Sequence, residues 1–415
     1  MPVTVDAIAQ LIEKVAPKAW AEDWDNVGLL VGGGSAPVEK LLLALDGTAA
    51  VVDEARRLGV QMIVAHHPIM FLPLKNLRFD NPAAQVPIQL LQHNIAYYAA
   101  HTNLDQSELS ASWTLAHGLG LKDAEILAPT AQEALVKLVV FVPASHAEKV
   151  RRALAAAGVG ASTTDGPHSE FYAESFFQSE GTGMFRPLPG AHPSLGKVGE
   201  LTKVAECRLE SIMPERLIDR AVRALRRAHP YEEPAYDLIP LRNSGRKRGY
   251  GAIGYFAEPI TLGQVWSRLG ELLAMAAGSG EAAGSSGAAG ASGAAGSREN
   301  AAWRTWQGWP GEGLAGLRLA GERDRVIRKV AIVNGSGGSL VAKALSKGAD
   351  LLITGDVDHH AVLEALAANM AVIDAGHFAT EKPMLLTMQR YLQQQKSLAG
   401  TRIFVSAENC IPWAI

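Results

Sequence analysis

Two adjacent histidines end an apolar segment early in the chain. His66 and His67 follow QMIVA (61–65) and directly precede Pro68. Ligands of open α/β sheets bind beyond the carboxyl ends of the strands, so the pair stands where a site is expected. Successive side chains of a regular strand point to opposite faces, and a break at Pro68 would let both imidazoles reach one site. A lone histidine here would more often be structural, whereas the pair is compatible with a metal site.

Two other segments each place a carboxylate four residues after a histidine. One is HTNLD, from His101 to Asp105, and the other is HFATE, from His377 to Glu381. Imidazole and carboxylate ligands without thiolates suit zinc, iron or manganese, and the ligand types do not rank these metals. Taken one at a time, the same residues could equally be hydrogen-bonded polar side chains at strand ends.

If both parts of the chain face each other, five side chains converge on one site. They are His66, His67, Asp105, His377 and Glu381. A catalytic zinc usually keeps three protein ligands beside its water, so five ligands are many for one ion. They fit two divalent ions per subunit, about 3.5–4 Å apart, as in many two-metal hydrolases.

The elements that must position these residues alternate between strands and helices in two parts of the chain. The first part has predicted strands at 41–46, 61–67 and 94–105, and predicted helices at 48–59 and 83–93. The second part has predicted strands at 326–335, 350–360 and 371–381, and predicted helices at 339–349 and 361–370. This alternation predicts an α/β fold with a mainly parallel, buried sheet in each part. An internal duplication explains the repeat, although two generic α/β units can also agree by chance.

The segment between these parts predicts a separate unit. Its pattern is β-α-β-β-α-β, with one strand around FYAESFF (171–177), and this order is typical of ferredoxin-like domains. We therefore expect residues 1–134 and 249–415 to be the two halves of one α/β domain and residues 135–248 to be an inserted α+β domain.

A low-complexity segment lies inside the second half. Residues 278–297 consist of Gly, Ala and Ser apart from one Glu, and three tryptophans follow within 303–313. Such a composition buries too little apolar surface to fold, so we predict a flexible surface loop over 276–300. The tryptophans would either pack back on the body or present a small exposed patch.

Composition narrows the class of protein. The 415 residues have room for two or three domains, and their 48% hydrophobic and 20% charged content is typical of a soluble globular protein. A net charge of −3 argues against a broad basic surface that would bind nucleic acid or a membrane. The 2 cysteines, Cys207 and Cys410, offer no disulfide scaffold and no thiolate zinc finger. The N-terminal residues predict a helix capped by Thr4 or Asp6 rather than a signal peptide, so we expect a cytoplasmic protein.

Five sequence blocks resemble those of one known family. The blocks are WDNVGLLVG (24–32), AHHPIMF (65–71), AAHTNLD (99–105), TGDVDHH (354–360) and DAGHFATE (374–381). In this order they are similar to the Nif-three-like family, also called the dinuclear-metal-centre hexameric protein family. Its members are often labelled GTP cyclohydrolase one type two homologues. The segment near 274–313 departs from the pattern.

The resemblance implies a fold of two similar α/β halves that enclose a dinuclear metal site with the same five ligands. It also implies a toroidal homohexamer and an inserted domain similar to PII or CutA proteins. His101 would line the cavity and handle protons. Residues that would orient the ligands are Asp25, Asp356, His359 and His360. Asp25 in the WDNVG block could instead simply cap a turn, and the glycines of NGSGGS (334–339) could form a tight turn or hold an anion.

Three functions from different classes follow. The first is a metal-dependent hydrolase of a nucleotide or phosphoester, with GTP cyclohydrolase activity as the version that the family label implies. The second is a regulatory hexamer in which the PII-like insert senses a metabolite or gates the cavity. The third is a metal-holding or interaction protein without turnover. Nothing in the sequence specifically recognises guanine.

Overall fold

The chain forms two compact units in a computed structural model. The structure describes residues 2–161, 172–243, 245–277 and 317–408. Unit 1 comprises Met1–Ala128 and Gly249–Ile415, and unit 2 comprises Pro129–Arg248. The segment 278–297 and the tryptophans of 303–313, for which we predicted a flexible loop and a packed or exposed patch, lie outside the described residues.

The first part of unit 1 begins with a helix that Thr4 caps, because its hydroxyl accepts a hydrogen bond from the backbone N–H of Ala7. Its elements are β1 (Val3–Thr4), α1 (Val5–Val15), β2 (Gly28–Val31), β3 (Pro37–Val38), β4 (Lys40–Ala44), α2 (Ala49–Leu58), β5 (Met62–Ala65), α3 (Pro82–Gln92), β6 (Ala96–Ala99), α4 (Thr102–Asp105), α5 (Ala111–Gly118) and β7 (Lys122–Gln132).

Unit 2 is a four-stranded antiparallel sheet with two helices. Its elements are β8 (Leu135–Pro143), α6 (Ala147–Ala156), β9 (Phe177–Phe185), β10 (Thr202–Pro214), α7 (Ile218–Ala228) and β11 (Tyr236–Leu241). The strand order is β11-β8-β10-β9, so the chain follows a β-α-β-β-α-β path. Apolar residues of both helices, among them Val150 and Leu225, pack with Val140 and Leu209 of the sheet in one core.

The chain then completes unit 1. Its remaining elements are β12 (Lys247–Thr261), α8 (Leu262–Ala277), β13 (Arg318–Ala320), β14 (Val326–Ser336), α9 (Val341–Ser346), β15 (Leu351–Gly355), α10 (His359–Ala367), β16 (Ala371–Asp374), α11 (His377–Gln393) and β17 (Arg402–Val405).

Two sheets form the framework of unit 1. One has the order β17-β4-β5-β6-β2, and β4, β5 and β6 are parallel neighbours. The other has the order β13-β16-β15-β14-β12-β7, and β14, β15 and β16 are parallel neighbours. Every residue of β5, β6, β15 and β16 is buried, because helices cover both faces of parallel sheets. The mixed α/β fold expected from the sequence is confirmed.

Helix α11 contacts both sheets. Its residues Met384, Met388 and Leu392 belong to the apolar core beside β4 and β5, whereas Ala379 belongs to the core beside β15 and β16. The first two turns of α11 therefore lie between the two parts of unit 1.

Four predictions about elements were wrong. The predicted strand 94–105 ends at Ala99, and Thr102–Asp105 form the helical turn α4. Residues 371–381 are not one strand, because β16 ends at Asp374, Gly376 turns the chain with a φ of +80°, and HFATE begins α11. The predicted strand 350–360 ends at Gly355, and its two final histidines are the first residues of α10. The strand predicted around 171–177 begins at Phe177, and residue 171 lies outside the described residues.

No helix in the described ranges combines the length and the apolar character needed to cross a membrane.

Candidate metal centre

The paired histidines follow β5 directly and reach one site together. The backbone N–H of His66 donates to Ala44 and that of His67 donates to Leu45, so the chain stays beside β4 after the strand has ended. The two rings lie 4.9 Å apart between centroids. His66 Nδ1 lies 2.8 Å from the carbonyl oxygen of Ala100.

His101 and Asp105 follow β6, the next parallel strand. HTNLD forms one helical turn, with α4 beginning directly after His101. The His101 ring lies 5.0 Å from the His66 ring and 5.4 Å from the His67 ring. Asp105 Oδ1 lies 3.6 Å from His66 Nε2.

His377 and Glu381 lie in the first turns of α11. Their spacing of four residues places them on one helix face, with His377 Nε2 3.3 Å from Glu381 Oε1. Glu381 Oε1 lies 3.7 Å from His66 Nε2, and Glu381 Oε2 lies 3.2 Å from His67 Nε2. The Glu381 carboxylate, whose side chain is 4% exposed, therefore stands among three imidazoles from the two parts of unit 1.

All four imidazoles are oriented in the same way. Each Nδ1 contacts an acceptor at 2.8–2.9 Å; the acceptors are Ala100 O for His66, Asp46 for His67, Asp25 for His101 and Asp356 for His377. A carbonyl or carboxylate oxygen can only accept, so each Nδ1 donates. In the neutral ring the other nitrogen, Nε2, then keeps its lone pair, which is the usual arrangement of histidines that bind metals.

The polar atoms of the site suit a divalent cation. Within the described residues, His66 Nε2 and Glu381 Oε2 are buried and have no hydrogen-bond partner. Buried polar groups without partners are costly, and a cation would satisfy both. Two groups of side chains bring their ligand atoms within 4.8 Å of one another: His66, His67 and His101 form one, and His67, His377 and Glu381 form the other. His67 belongs to both.

The charges of the site depend on close contacts. Burial lowers the pKa of His67, but its hydrogen bond with Asp46 and the nearby Glu381 carboxylate outweigh burial and raise that pKa to about 10. The hydrogen bond with Glu381 also raises the pKa of His377 to about 9. Burial favours protonation of Glu381, yet the surrounding histidines hold its pKa well below the usual range. The carboxylate is therefore an anion that attracts cations.

Asp25 contacts the His101 ring at Nδ1. The Asp25 side chain is fully buried, and it accepts hydrogen bonds from the hydroxyl and the backbone N–H of Thr102 as well as from His101. Burial raises the pKa of Asp25, but these hydrogen bonds prevail and lower it to about 2. Asp25 thereby contacts both the His101 ring and the backbone N–H of Thr102, the first residue of α4.

Two residues of the site were not predicted from the sequence. Asp46 holds His67, and Asn334 Nδ2 donates to Asp105 Oδ1 at 2.8 Å. Asp46 ends LLLALD and Asn334 begins NGSGGS, so both stand near the carboxyl ends of strands that carry no histidine. Gly335 follows Asn334 with a φ of +61°, and a Cβ there would lie 2.6 Å from Glu381 Oε1. The glycine-rich turn therefore makes room for the carboxylate.

The predicted residues do not all meet at one point. His359 and His360 are exposed at the start of α10, where Asp358 caps the helix, and in the described residues no hydrogen bond joins either ring to the four other histidines. Asp356 contacts the site through His377 Nδ1, and its φ is +46°, a strained conformation for a residue with a side chain. His101 joins His66 and His67 as a ligand candidate, a role that the sequence had not assigned to it.

Exposed aromatic side chains flank the site. Trp24 is 61% exposed and Phe71 is 50% exposed, and their ring centroids lie 6.0 and 5.8 Å from that of His101. The site therefore has an apolar edge on the side of His101.

Comparisons with known proteins give a consistent result. The family model Duf34/NIF3 (NGG1p interacting factor 3) matches residues 3–304 and 311–410. A Halalkalibacterium halodurans protein named GTP cyclohydrolase 1 type 2 homolog is 38% identical over 89% of this chain and 87% of its own length. A Bacillus subtilis protein of the same name is 35% identical over 98% of this chain and 97% of its own length.

Solved structures agree with these relatives. The crystal structure of a Bacillus cereus protein related to NIF3 matches with a TM-score of 0.80 and 35% identity, and it covers 100% of both chains. The Staphylococcus aureus protein SA1388 matches with a TM-score of 0.67 at 24% identity, over 100% of this chain and 99% of its own, and shows the same fold. The chain described here belongs to the Duf34/NIF3 family.

Proposed function

We propose that this protein is a metal-dependent hydrolase with two divalent cations per subunit. The observation that carries the proposal is the buried Glu381 carboxylate, which stands between the imidazoles of His66, His67 and His377. The residues proposed to hold the ions are His66, His67, Asp105, His377 and Glu381, with zinc, iron or manganese as the metals. Such ions supply Lewis acidity, which makes a water more acidic and polarises the group that it attacks.

The residues of the chain have separate tasks in this proposal. Asp46 and Asp356 hold the imidazoles of His67 and His377 with Nε2 directed into the site. Asn334 holds Asp105 in place. His101, backed by the buried Asp25, is proposed to move protons, and its place in the group with His66 and His67 also makes it an alternative ligand.

The proposed substrate is a nucleotide or another phosphoester. The names of the relatives support a GTP cyclohydrolase-like reaction, and the exposed rings of Trp24 and Phe71 beside His101 support a substrate with an apolar or ring-shaped part.

Residues 135–248 are proposed to be an inserted ferredoxin-like domain similar to PII or CutA proteins, supported by the β-α-β-β-α-β path of unit 2. The resemblance also supports a toroidal homohexamer, which sedimentation of the purified protein would test.

The experiment measures metal content and turnover together. The purified full-length protein is assayed for metals per chain and screened against nucleotides and phosphoesters, beside His67→Ala, Asp105→Ala and the control His93→Ala, whose side chain is exposed at the end of α3. We expect turnover and metal to fall together in the first two variants and to persist in the control. Turnover that survives in metal-depleted variants would refute the proposal. Metal without turnover on any substrate would favour the alternative, a regulatory or interaction protein that holds metal.

A further inference from the structure

Three arginines line one cavity on the helical face of unit 2. The cavity has a volume of about 250 Å³ and lies between α6 and α7. Its lining consists of three arginines of α7, Arg220, Arg223 and Arg227, and of four alanines, Ala153, Ala156, Ala157 and Ala224. We call this feature the arginine groove.

The helix periodicity explains why these three side chains meet. Ala221, Leu225 and Ala228 are the buried residues of α7 and pack on the sheet of unit 2. Arg220, Arg223 and Arg227 follow a spacing of three and four residues, so they share another face of the same helix. The other lining residues are alanines, whose methyl groups are too small to fill the space that the long arginine side chains border.

Some arginines elsewhere in unit 2 have carboxylate partners. Arg151 and Arg152 bind Glu148, and Arg216 binds Glu133. In the groove, Arg220 donates to the carbonyl oxygen of Ala156 and thereby caps the C-terminus of α6. Among the described residues, no carboxylate forms an ion pair with Arg223 or Arg227.

Like charges one helix turn apart repel each other, and an anion bound between them relieves this repulsion. A guanidinium group presents a planar fork of donors that matches two phosphate oxygens at once. The cavity is smaller than the roughly 300–1,000 Å³ of drug-sized ligand pockets, which suits a phosphate group rather than a whole nucleotide.

We propose that the arginine groove binds the phosphate or pyrophosphate group of a small ligand. This site is separate in residues from the metal centre of unit 1, and it does not depend on the proposed hydrolase activity. It makes unit 2 a receptor for phosphorylated molecules.

Pyrophosphate is the probe, and calorimetric titration of the full-length protein at low ionic strength is the measurement. We expect the double variant Arg223→Ala with Arg227→Ala to weaken binding at least tenfold. Arg226→Ala is the matched control, because Arg226 is the exposed neighbour of Arg227 on the same helix and does not line the cavity. We expect it to change the dissociation constant less than twofold.

Two further variants distinguish binding in the groove from a general charge effect and from binding at the metal centre. Ala224→Leu keeps all three guanidinium groups but places a larger side chain in the lining of the cavity, so we expect binding to weaken although the charge is unchanged. Glu381→Gln alters the metal centre and should leave this binding event intact, whereas its loss would place the pyrophosphate at the metal centre instead.

Three results would overturn the proposal. The first is the absence of saturable pyrophosphate binding by the wild type. The second is an equal loss in Arg226→Ala and Arg227→Ala, which would mean that only the general positive charge of the helix matters. The third is Arg223- and Arg227-dependent binding of a DNA duplex but not of pyrophosphate, which would assign the groove to a polymer.

Discussion

The two α/β halves of unit 1 use the same positions for different chemistry. In the first half, the middle strand β5 is followed by His66 and His67, which direct Nε2 into the site. In the second half, the middle strand β15 is followed by Asp356, which supports His377 from outside. After the third strands, β6 and β16, both halves place a histidine and a carboxylate four residues apart. The parallel strands of the two sheets therefore fix where polar residues stand, while the residue types decide which of them face the site.

The side chains of the site also differ in exposure. The side chains of His66 and Glu381 are 1% and 4% exposed, whereas those of His377 and Asp356 are 39% and 53% exposed. The site thus has a buried side, where each change should be costly, and an open side formed by His377 with Asp356. The following expected results test this contrast, from the largest effect to the smallest.

Glu381→Gln should have the largest effect, because this carboxylate is the buried anion that both halves share. The substitution removes the one carboxylate charge that three imidazoles share, so we expect metal affinity to fall by more than the roughly 10–100-fold typical of outer partners. Elemental analysis and competition with a chelating dye measure the effect. The control is Glu364→Gln, an exposed acid on α10. Retention of full metal content in Glu381→Gln would contradict the shared role.

His101→Ala and His377→Ala should each remove one ion and leave the other. Each residue belongs to only one of the two ligand groups, whereas His67 belongs to both. We expect about half of the wild-type metal content in either single variant and at least as large a loss in His67→Ala, whose ring lies beside those of His101 and His377. Equal and complete loss in all three variants would mean that the groups form a single site.

Replacing each carboxylate that supports a histidine by Asn should lower metal affinity, and the loss should be larger the more buried the carboxylate is. Asp25 has a fully buried side chain, that of Asp46 is 30% exposed and that of Asp356 is 53% exposed. We expect Asp25→Asn to lower metal affinity by about 10–100-fold, Asp46→Asn by less, and Asp356→Asn least, because solvent screens an exposed contact. A larger loss in Asp356→Asn than in Asp25→Asn would reverse the assignment of the buried and open sides.

Metal binding should release protons at neutral pH. The raised pKa values of His67, about 10, and of His377, about 9, mean that both rings are protonated at pH 7.5, while a metal needs the neutral ring. Affinity should therefore rise with pH until about pH 9–10. Calorimetry in two buffers of different ionisation enthalpy measures the released protons. A binding heat that is the same in both buffers would show that the rings are already neutral.

The stability of the fold at acid pH should depend on the hydrogen bonds of Asp25 with His101 and Thr102. This effect should be the smallest of the series. The pKa of Asp25 is about 2 in the folded protein and near 3.8 when the residue has no partners, so its contribution to the free energy of unfolding is present above about pH 4. It is lost as the pH falls from 4 towards 2. We expect Asp25→Asn to flatten this part of the pH profile of thermal unfolding. An unchanged slope would mean that Asp25 does not titrate with folding.

Much of the framework was predictable because burial leaves a local signature. Apolar runs such as LLLAL and QMIVA mark strands covered on both faces, and β4 and β5 overlap the predicted strands 41–46 and 61–67. HFATE shows the limit of such reasoning. A carboxylate four residues after a histidine is equally compatible with a loop and with one helix face, and only Gly376 with its positive φ and the packing of α11 between the cores select the helix.

By itself the sequence determined the types of the chemical groups and their places at strand ends, since these depend on residues close together in the chain. It also carried the blocks that indicate the family. Only the tertiary structure decided which groups meet. Asp46 supports His67 across 21 residues and Asn334 reaches Asp105 across 229, and no local pattern encodes such contacts. The same packing leaves His359 and His360 at the surface, because a helix starts where the sequence alone predicted the end of a strand.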